Sequence, residues 1–168
     1  MGRRQGGARQ QKQGLLSASM ELLMKHRLID ADGPRTYIVI LETGDEVAAS
    51  LNRFAEENKL AGSSFKAIGA LSSAKVGWFN WQTKKYETAA QFQEQLEVLS
   101  LIGDVALKDG KPVVHAHLIV GRKDGTAHGG HLLEAYVRPT LEVVLTESAQ
   151  PLHKTVDPES GIALIQPW

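Results

Sequence analysis

Three histidines stand in a pattern that could bind a divalent metal ion. His115 and His117 lie inside an apolar run at 113–120, and His131 follows a turn marked by Asp124-Gly125. In a strand, residues i and i+2 project to the same face, so the imidazoles of His115 and His117 would lie side by side. Three imidazoles plus water form the open arrangement of a reactive zinc site, whereas a structural zinc is usually closed by four protein ligands.

The metal interpretation has an alternative, in which these histidines are ordinary core or surface residues of a strand. The pair on one apolar strand and the third histidine after the turn favour the metal site. The paired glycines Gly129-Gly130 precede His131, and we expect their conformational freedom to aim His131 at the same ion. We expect zinc, although imidazole ligands also accept iron, nickel or copper.

Two further polar residues are candidates for the same site. His128 could contact a ligand histidine or replace one, and its alternative is a solvated loop position. Glu97 lies in the apolar stretch 96–101, where a carboxylate is costly unless it is paired or coordinated. Glu97 is therefore our candidate for a catalytic base, a fourth ligand or an acceptor that orients an imidazole. Its alternative is an edge position that faces water.

The bulk composition fits one cytoplasmic domain. The chain has 168 residues, which is enough for a single buried core, and it contains no cysteine. The absence of cysteine excludes disulfides and thiolate metal sites and favours a reducing compartment. No apolar run approaches the roughly 18 residues that span a bilayer, so we expect no membrane segment.

The charge is unevenly distributed along the chain. Residues 1–19 contain no acid and four basic residues, Arg3, Arg4, Arg9 and Lys12. Residues 20–168 therefore contain all 19 acidic residues but only 15 of the 19 Lys and Arg, which gives that part a net charge of −4. Residues 1–19 could be a basic arm that contacts DNA, a solvated extension, or an artefact if Met20 or Met24 is the natural start.

The elements that must position the histidines follow from residue patterns. A strand is predicted at 36–41 and a helix from Gly44-Asp45 to about Asn58, with apolar residues recurring at helical spacing. The remaining predicted strands are short and lie at 64–71, 74–80, 84–88, 97–105, 112–121, 132–137 and 141–146. One helix followed by many strands predicts an α/β fold of the α+β type, with a mixed, largely antiparallel sheet and a flanking helix.

The same patterns divide the chain into four parts. We predict a disordered basic tail at 1–19, a short extension at 20–35, the domain at 36–148, and an irregular C-terminal tail at 149–168 that packs on it.

Several segments resemble the PPC family, the "plants and prokaryotes conserved" domain. They occur in the family's order and spacing across about residues 36–146, and comprise Gly69-Ala70-Leu71-Ser72-Ser73-Ala74, Leu96-Glu97-Val98-Leu99-Ser100-Leu101-Ile102-Gly103, His115-Ala116-His117, Gly129-Gly130-His131-Leu132 and Pro139-Thr140-Leu141-Glu142-Val143-Val144. The resemblance implies a mixed α/β fold, similar to that of a zinc-dependent acetolactate decarboxylase, and a homotrimer. It also implies a metal-ligand role for His115, His117 and His131.

Plant members of the family carry AT-hooks and bind AT-rich DNA, so the resemblance also implies a DNA-binding, regulatory function. An AT-hook needs an Arg-Gly-Arg-Pro-like core that enters the minor groove. This chain offers only Gly2-Arg3-Arg4 and Gly33-Pro34-Arg35, so it resembles the bacterial and archaeal type without an AT-hook. Two function classes follow: a regulatory DNA-associated protein, and a metal-dependent lyase or hydrolase that acts on a small oxygen-bearing substrate bound at the metal.

Overall fold

A computed structural model of the chain describes residues 25–30 and 33–166. Within these parts the chain forms one helix and nine strands. In chain order they are β1 (Lys25–Asp30), β2 (Thr36–Glu42), α1 (Val47–Glu57), β3 (Gly62–Asn80), β4 (Lys85–Phe92), β5 (Leu96–Lys108), β6 (Lys111–Gly121), β7 (Ala127–Glu147), β8 (His153–Val156) and β9 (Ala163–Gln166).

The strands form one sheet in which the order β1-β2-β7-β3-β5-β8-β9 is the main path. β4 is added beside β3, and β6 joins β5 to β7. Because β3 pairs with both β5 and β7, the ladders β3–β5, β5–β6, β6–β7 and β7–β3 close a circuit. The described ladders are antiparallel except β5–β8, so the predicted mixed, largely antiparallel sheet is confirmed.

The helix covers the core and is tied to the strand that bears two of the histidines. Its apolar face buries Leu51 and Phe54, which are each 1% exposed, against the inner face of the sheet. The N-cap carboxylate of Glu46 accepts from the Ala49 amide at 2.6 Å, satisfying one free donor of the first turn. The side chain of Asn52 accepts from the Val114 amide at 2.9 Å, which anchors β6 one residue before His115.

Two strands are longer than the sequence predicted. The predicted strands 64–71 and 74–80 are both parts of β3, and 132–137 and 141–146 are both parts of β7. The residues between them, which we predicted to be breaks, instead carry register shifts and a change of partner. Each strand continues through the irregularity because its second half finds a new neighbour, and bulges absorb the resulting bend.

The C-terminal segment, which we predicted to be irregular, forms the β8–β9 hairpin. Pro151 and Pro158 do not interrupt the ladder, since Pro151 precedes β8 and Pro158 lies in the connecting turn. That turn is held by Asp157, whose carboxylate accepts from the Ser160 amide at 2.7 Å. β8 joins the sheet through Leu107, whose amide donates to the Leu152 carbonyl at 2.8 Å.

The predicted basic tail lies outside the described residues, and so do its Arg3, Arg4, Arg9 and Lys12. The helix in the described part is too short and too polar to cross a bilayer.

Candidate metal centre

The structure brings His115, His117 and His131 together. One ligand atom from each ring lies within 4.8 Å of those from the other two. The ring centroids form a nearly equilateral triangle, with separations of 5.3 Å for His115–His117, 5.1 Å for His115–His131 and 5.4 Å for His117–His131. Nitrogens bound to one tetrahedral zinc at about 2.1 Å are closer together than these ligand atoms. Small rotations of the three rings would bring the nitrogens to that spacing around an ion.

Strand alternation and register place the three rings. His115 and His117 project from the outer face of β6, while the intervening Ala116 is buried against the core. His131 is the direct cross-strand partner of His117 in the β6–β7 ladder. Directly opposed residues share a face, so the ladder sets the third ring beside the first two.

The glycines before His131 act differently from our prediction. Gly129 and Gly130 do not adopt the positive φ that favours glycine. They are needed because the strands approach closely: a Cβ on Gly130 would lie 2.5 Å from the carbonyl oxygen of Gly77 on β3. The absent side chain, and not an unusual backbone conformation, lets β7 fit between β3 and β6 and carry His131 into the triangle.

Two of the three imidazoles, His117 and His131, have a lowered pKa that favours the neutral form that binds metals. Burial, reinforced by the neighbouring His115, His117 and Lys154, lowers the pKa of His131 to about 4. Burial and the adjacent His115 also lower the pKa of His117. Because a metal competes with protons for the ring nitrogens, a lowered pKa favours metal binding at neutral pH.

One ring nitrogen of the triangle has an unmet bonding capacity. Nδ1 of His131 is buried and has no hydrogen-bond partner. A buried polar atom without a partner is costly, and such an atom in a native structure calls for an explanation. A cation held by the three rings fits this donor set, since borderline-soft divalent ions such as zinc prefer imidazole nitrogen.

An aromatic side chain forms one wall of the centre. Tyr86 on β4 stacks on His131 with ring centroids 4.0 Å apart and an interplanar angle of 18°. Phe79, its cross-strand partner on β3, packs edge-on against Tyr86 at 5.3 Å. Burial raises the pKa of Tyr86, which keeps its hydroxyl protonated. The β3–β4 hairpin therefore restricts the ring of His131 and partly shields it from water.

A carboxylate and an ammonium lie on the other side of the triangle. Asp104 is the cross-strand partner of His115, and its Oδ2 lies 3.6 Å from His115 Nδ1. Its Oδ1 lies 2.6 Å from Nζ of Lys154, whose side chain is only 3% exposed, as an ion pair without the alignment of a hydrogen bond. Burial alone would raise the pKa of Asp104, but His115 and Lys154 outweigh it and lower that pKa.

The structure does not bring the other two predicted site residues to the triangle. Glu97 is exposed on β5 and pairs with Gly121, four residues beyond His117 on β6 and so roughly 13 Å along the strand. His128 pairs with the buried Val120 and contacts the Phe92 ring at 5.1 Å, on the opposite face from His131.

Three residues at the centre were not predicted from the sequence: Asp104, Lys154 and Tyr86. Asp104 gives the same signal that singled out Glu97, an acid inside an apolar strand, but the pattern does not say which of the two faces a histidine. Only the β5–β6 register decides this. Lys154 and Tyr86 lie on strands whose pairing with the centre is non-local, and no spacing in the sequence indicates them.

Known structures share this architecture and extend over nearly the same length. A "putative dna binding protein" from Bacteroides thetaiotaomicron superposes with a TM-score of 0.76 at 28% identity, covering 84% of this chain and 96% of that one. A plant- and prokaryote-conserved protein from Pyrococcus horikoshii gives 0.75 at 30% identity, covering 86% and 96%. A metal-containing protein from Archaeoglobus fulgidus gives 0.71 at 30% identity, covering 86% and 98%.

The acetolactate decarboxylase likeness is confirmed at the level of the fold. A Staphylococcus aureus protein similar to alpha-acetolactate decarboxylase superposes with a TM-score of 0.50 at 15% identity, covering 67% of this chain and 52% of that one.

A curated relative contains a matching segment within a much longer protein. The Bifunctional protein GlmU of Synechococcus sp. (strain JA-3-3Ab) is 35% identical over 130 residues, or 76% of this chain. The chain spans only 20% of that protein's length.

The family resemblance read from the sequence is confirmed by a family match. The Plants and Prokaryotes Conserved domain matches residues 30–149, which include the helix, the closed circuit of ladders and all three clustered histidines. This chain therefore belongs to the Plants and Prokaryotes Conserved domain family.

Proposed function

We propose that this protein binds a divalent metal ion, zinc in the first instance, through His115, His117 and His131. The observation that carries the proposal is the mutual approach of the three ligand atoms to within 4.8 Å. The buried, unpartnered Nδ1 of His131 supports it, as does the likeness to the metal-containing protein from Archaeoglobus fulgidus.

The open side of the centre suits a small ligand. A groove of about 400 Å³, lined in part by Ile102, Asp104 and His117, lies beside the rings. Three protein nitrogens leave at least one coordination position of a tetrahedral ion for water or a substrate oxygen. We propose that a small oxygen-bearing molecule binds there, and that a bound metal would polarise it as a Lewis acid.

The residues around the groove would assist such a ligand in different ways. The lowered pKa values favour the neutral imidazoles of His117 and His131, and Tyr86 limits water on one side. Glu97, our predicted base, is too far along β5 to exchange a proton directly with a ligand on these rings within one chain.

Metal content decides the proposal directly. We expect the purified protein to retain about one zinc or other transition metal ion per chain in elemental analysis, and the His115→Ala, His117→Ala double variant to retain none. A circular dichroism spectrum and unfolding curve in chelator would verify that the variant is folded. Equal metal content in the two proteins would refute the assignment.

A second candidate function is association with DNA, favoured by the likeness to the Bacteroides thetaiotaomicron protein. We propose that Arg3, Arg4, Arg9 and Lys12 supply it, since residues 20–168 carry a net charge of −4 and would repel phosphates. One tail that neutralises four phosphates would give a slope of about −3.6 in log K against log salt. A gel-shift salt series with and without residues 1–19 tests this, and equal binding by both forms would refute it.

We also propose that the protein is a cytoplasmic homotrimer. Large aliphatic side chains are exposed together on the outer face of β3, β5 and β6: Ile68, Leu99, Ile102 and Ile119. They are 62%, 54%, 58% and 45% exposed respectively, and a groove of about 460 Å³ runs beside the first three. An apolar surface of this kind usually marks an interaction site, and copies of the same chain would cover it.

A further inference from the structure

We propose that Asp104 and Lys154 are positioning residues for the metal centre, so that the C-terminal β8–β9 hairpin forms part of it. Asp104 fixes the orientation and tautomer of His115, and Lys154 holds Asp104 in place. This inference rests on the proposed metal function and names residues that the three-histidine pattern does not contain.

Asp104 lies next to His115 across the β5–β6 ladder. The two residues are direct cross-strand partners, and Asp104 Oδ2 lies 3.6 Å from His115 Nδ1. This separation is slightly too long for a hydrogen bond. A small rotation of the His115 ring toward the carboxylate would shorten it to hydrogen-bond length. Metal-ligating histidines generally donate their second ring N–H to a carboxylate or carbonyl. Asp104 would therefore accept the Nδ1–H of His115, which keeps the proton on Nδ1 and leaves Nε2 to bind the ion.

Lys154 is buried beside Asp104. Its side chain is 3% exposed, and Nζ lies 2.6 Å from the other carboxylate oxygen of Asp104. A buried ammonium is retained only when it is paired, because an unpaired buried charge is very costly. The two oxygens of Asp104 thus face two different partners, which restricts the carboxylate to one orientation.

Strand β8 of the β8–β9 hairpin brings Lys154 to Asp104. β8 meets the end of β5 in the single parallel pairing of the described sheet, Leu107 with His153. The Leu107 amide donates to the Leu152 carbonyl at 2.8 Å, and the Leu152 amide donates to the Ala61 carbonyl at 3.0 Å. These bonds set the register of β8. That register in turn sets the position of the Lys154 ammonium, which holds Asp104.

A positioning role for Lys154 can be distinguished from simple charge repulsion, because the two predict opposite changes in metal affinity when Lys154 is removed. If Lys154 acted only as a nearby positive charge, its removal would relieve repulsion and tighten cation binding. If it positions Asp104, its removal weakens metal binding even though a repulsive charge is lost. Lys66 provides a matched control, because it is an exposed cation on β3 whose partner, Ile102, is also the partner of His117.

The experiment is a zinc and cobalt titration of the full-length protein against a chromophoric chelator. We expect Asp104→Asn to weaken metal binding about 10- to 100-fold, the range typical for losing a carboxylate behind a histidine ligand. We expect Lys154→Met to weaken it about fivefold or more, Lys154→Arg to retain most of the wild-type affinity, and Lys66→Met to remain within about twofold of wild type. Unfolding of each metal-free variant in chelator separates a lost fold from a lost site.

Nitrogen-15 NMR of the zinc-loaded protein gives a second readout that a merely structural role would not move. We expect His115 to carry its proton on Nδ1 in the wild-type protein. Metal affinity equal to wild type in Asp104→Asn, or equal or tighter affinity in Lys154→Met, would overturn the inference while leaving the histidine site intact. Failure of the wild-type protein to bind zinc or cobalt would overturn both.

Discussion

His117 and His131 are direct cross-strand partners in the β6–β7 ladder, with ring centroids 5.4 Å apart. The connection between the two strands is short, so the pair depends on the register of one hairpin. A slip of one residue would turn His131 to the opposite face of the sheet. The relative placement of His117 and His131 therefore depends on this local register, although the residues that surround the centre come from distant parts of the chain.

The first prediction separates His131 from His128, the neighbouring histidine that lies on the opposite face. We expect His131→Ala to weaken zinc binding by more than about 100-fold, because losing a ligand costs more than losing the group behind it. We expect His128→Ala to bind zinc as the wild type does, since its side chain lies against Phe92. Chelator competition measures both, and an equal loss in the two variants would contradict the assignment of faces.

The second prediction concerns Gly130. A Cβ there would lie 2.5 Å from the Gly77 carbonyl oxygen, so Gly130→Ala must push β7 away from β3. We expect a loss of about 1–3 kcal/mol in the free energy of unfolding, as for other overpacked sites. Gly33→Ala is the control, because nothing lies within 4 Å of its added Cβ. Chemical denaturation of both in chelator measures the difference, and equal stability would show that the close approach is unimportant.

The sequence was sufficient to predict the triangle because its geometry is local. Strand alternation sets His115 beside His117, and a turn signal brings His131 back along the neighbouring strand. The helix α1 and the largely antiparallel sheet were also predicted correctly, from periodicity and residue type.

What the sequence could not show is the non-local pairing. Nothing local distinguishes Asp104, which faces His115, from Glu97, which does not, because both are acids within one apolar strand. The interruptions in β3 and β7 carry turn-forming residues, yet each strand continues because a new partner strand satisfies its backbone. Tertiary pairing also turned the C-terminal segment into a hairpin that delivers Lys154.

The third prediction is a pH dependence of the metal-free protein. The pKa of His131 is lowered to about 4, against about 6.5 for an unperturbed histidine in the unfolded chain. The unfolded chain thus binds more protons between these values, and stability rises with pH wherever that holds. We expect the stability associated with His131 to be complete above about pH 6.5 and to be lost as the pH falls toward about 4.

Comparing two proteins isolates this contribution. Denaturation series in chelator at several pH values should give a shallower acid loss for His131→Gln than for the wild type, because glutamine does not titrate. Parallel curves of unfolding free energy against pH would show that the titration of His131 contributes nothing to the acid loss of stability, and would contradict the prediction.

The fourth prediction tests the exposed aliphatic face. Ile102 is 58% exposed and lies beside His117 across the β5–β6 ladder. A charge at the centre of an apolar interface is strongly destabilising, so we expect Ile102→Glu to convert the proposed trimer to monomer in light scattering. Leu164→Glu, which alters an exposed aliphatic residue on β9, should leave the mass unchanged. An unaltered mass for Ile102→Glu would place any interface elsewhere.

The fifth prediction concerns the stack of Tyr86 on His131. Tyr86→Ala removes an aromatic neighbour at 4.0 Å and opens the imidazole to water, so the pKa of His131 should rise toward that of a free histidine. We expect a loss of about 1–2 kcal/mol in stability from the stack and the buried area together. Tyr86→Phe retains the ring, and should retain both the low pKa and most of the stability. An NMR titration of His131 in chelator measures the pKa in each protein. An unchanged value in Tyr86→Ala would mean that the strands themselves, and not the aromatic wall, keep water from this ring.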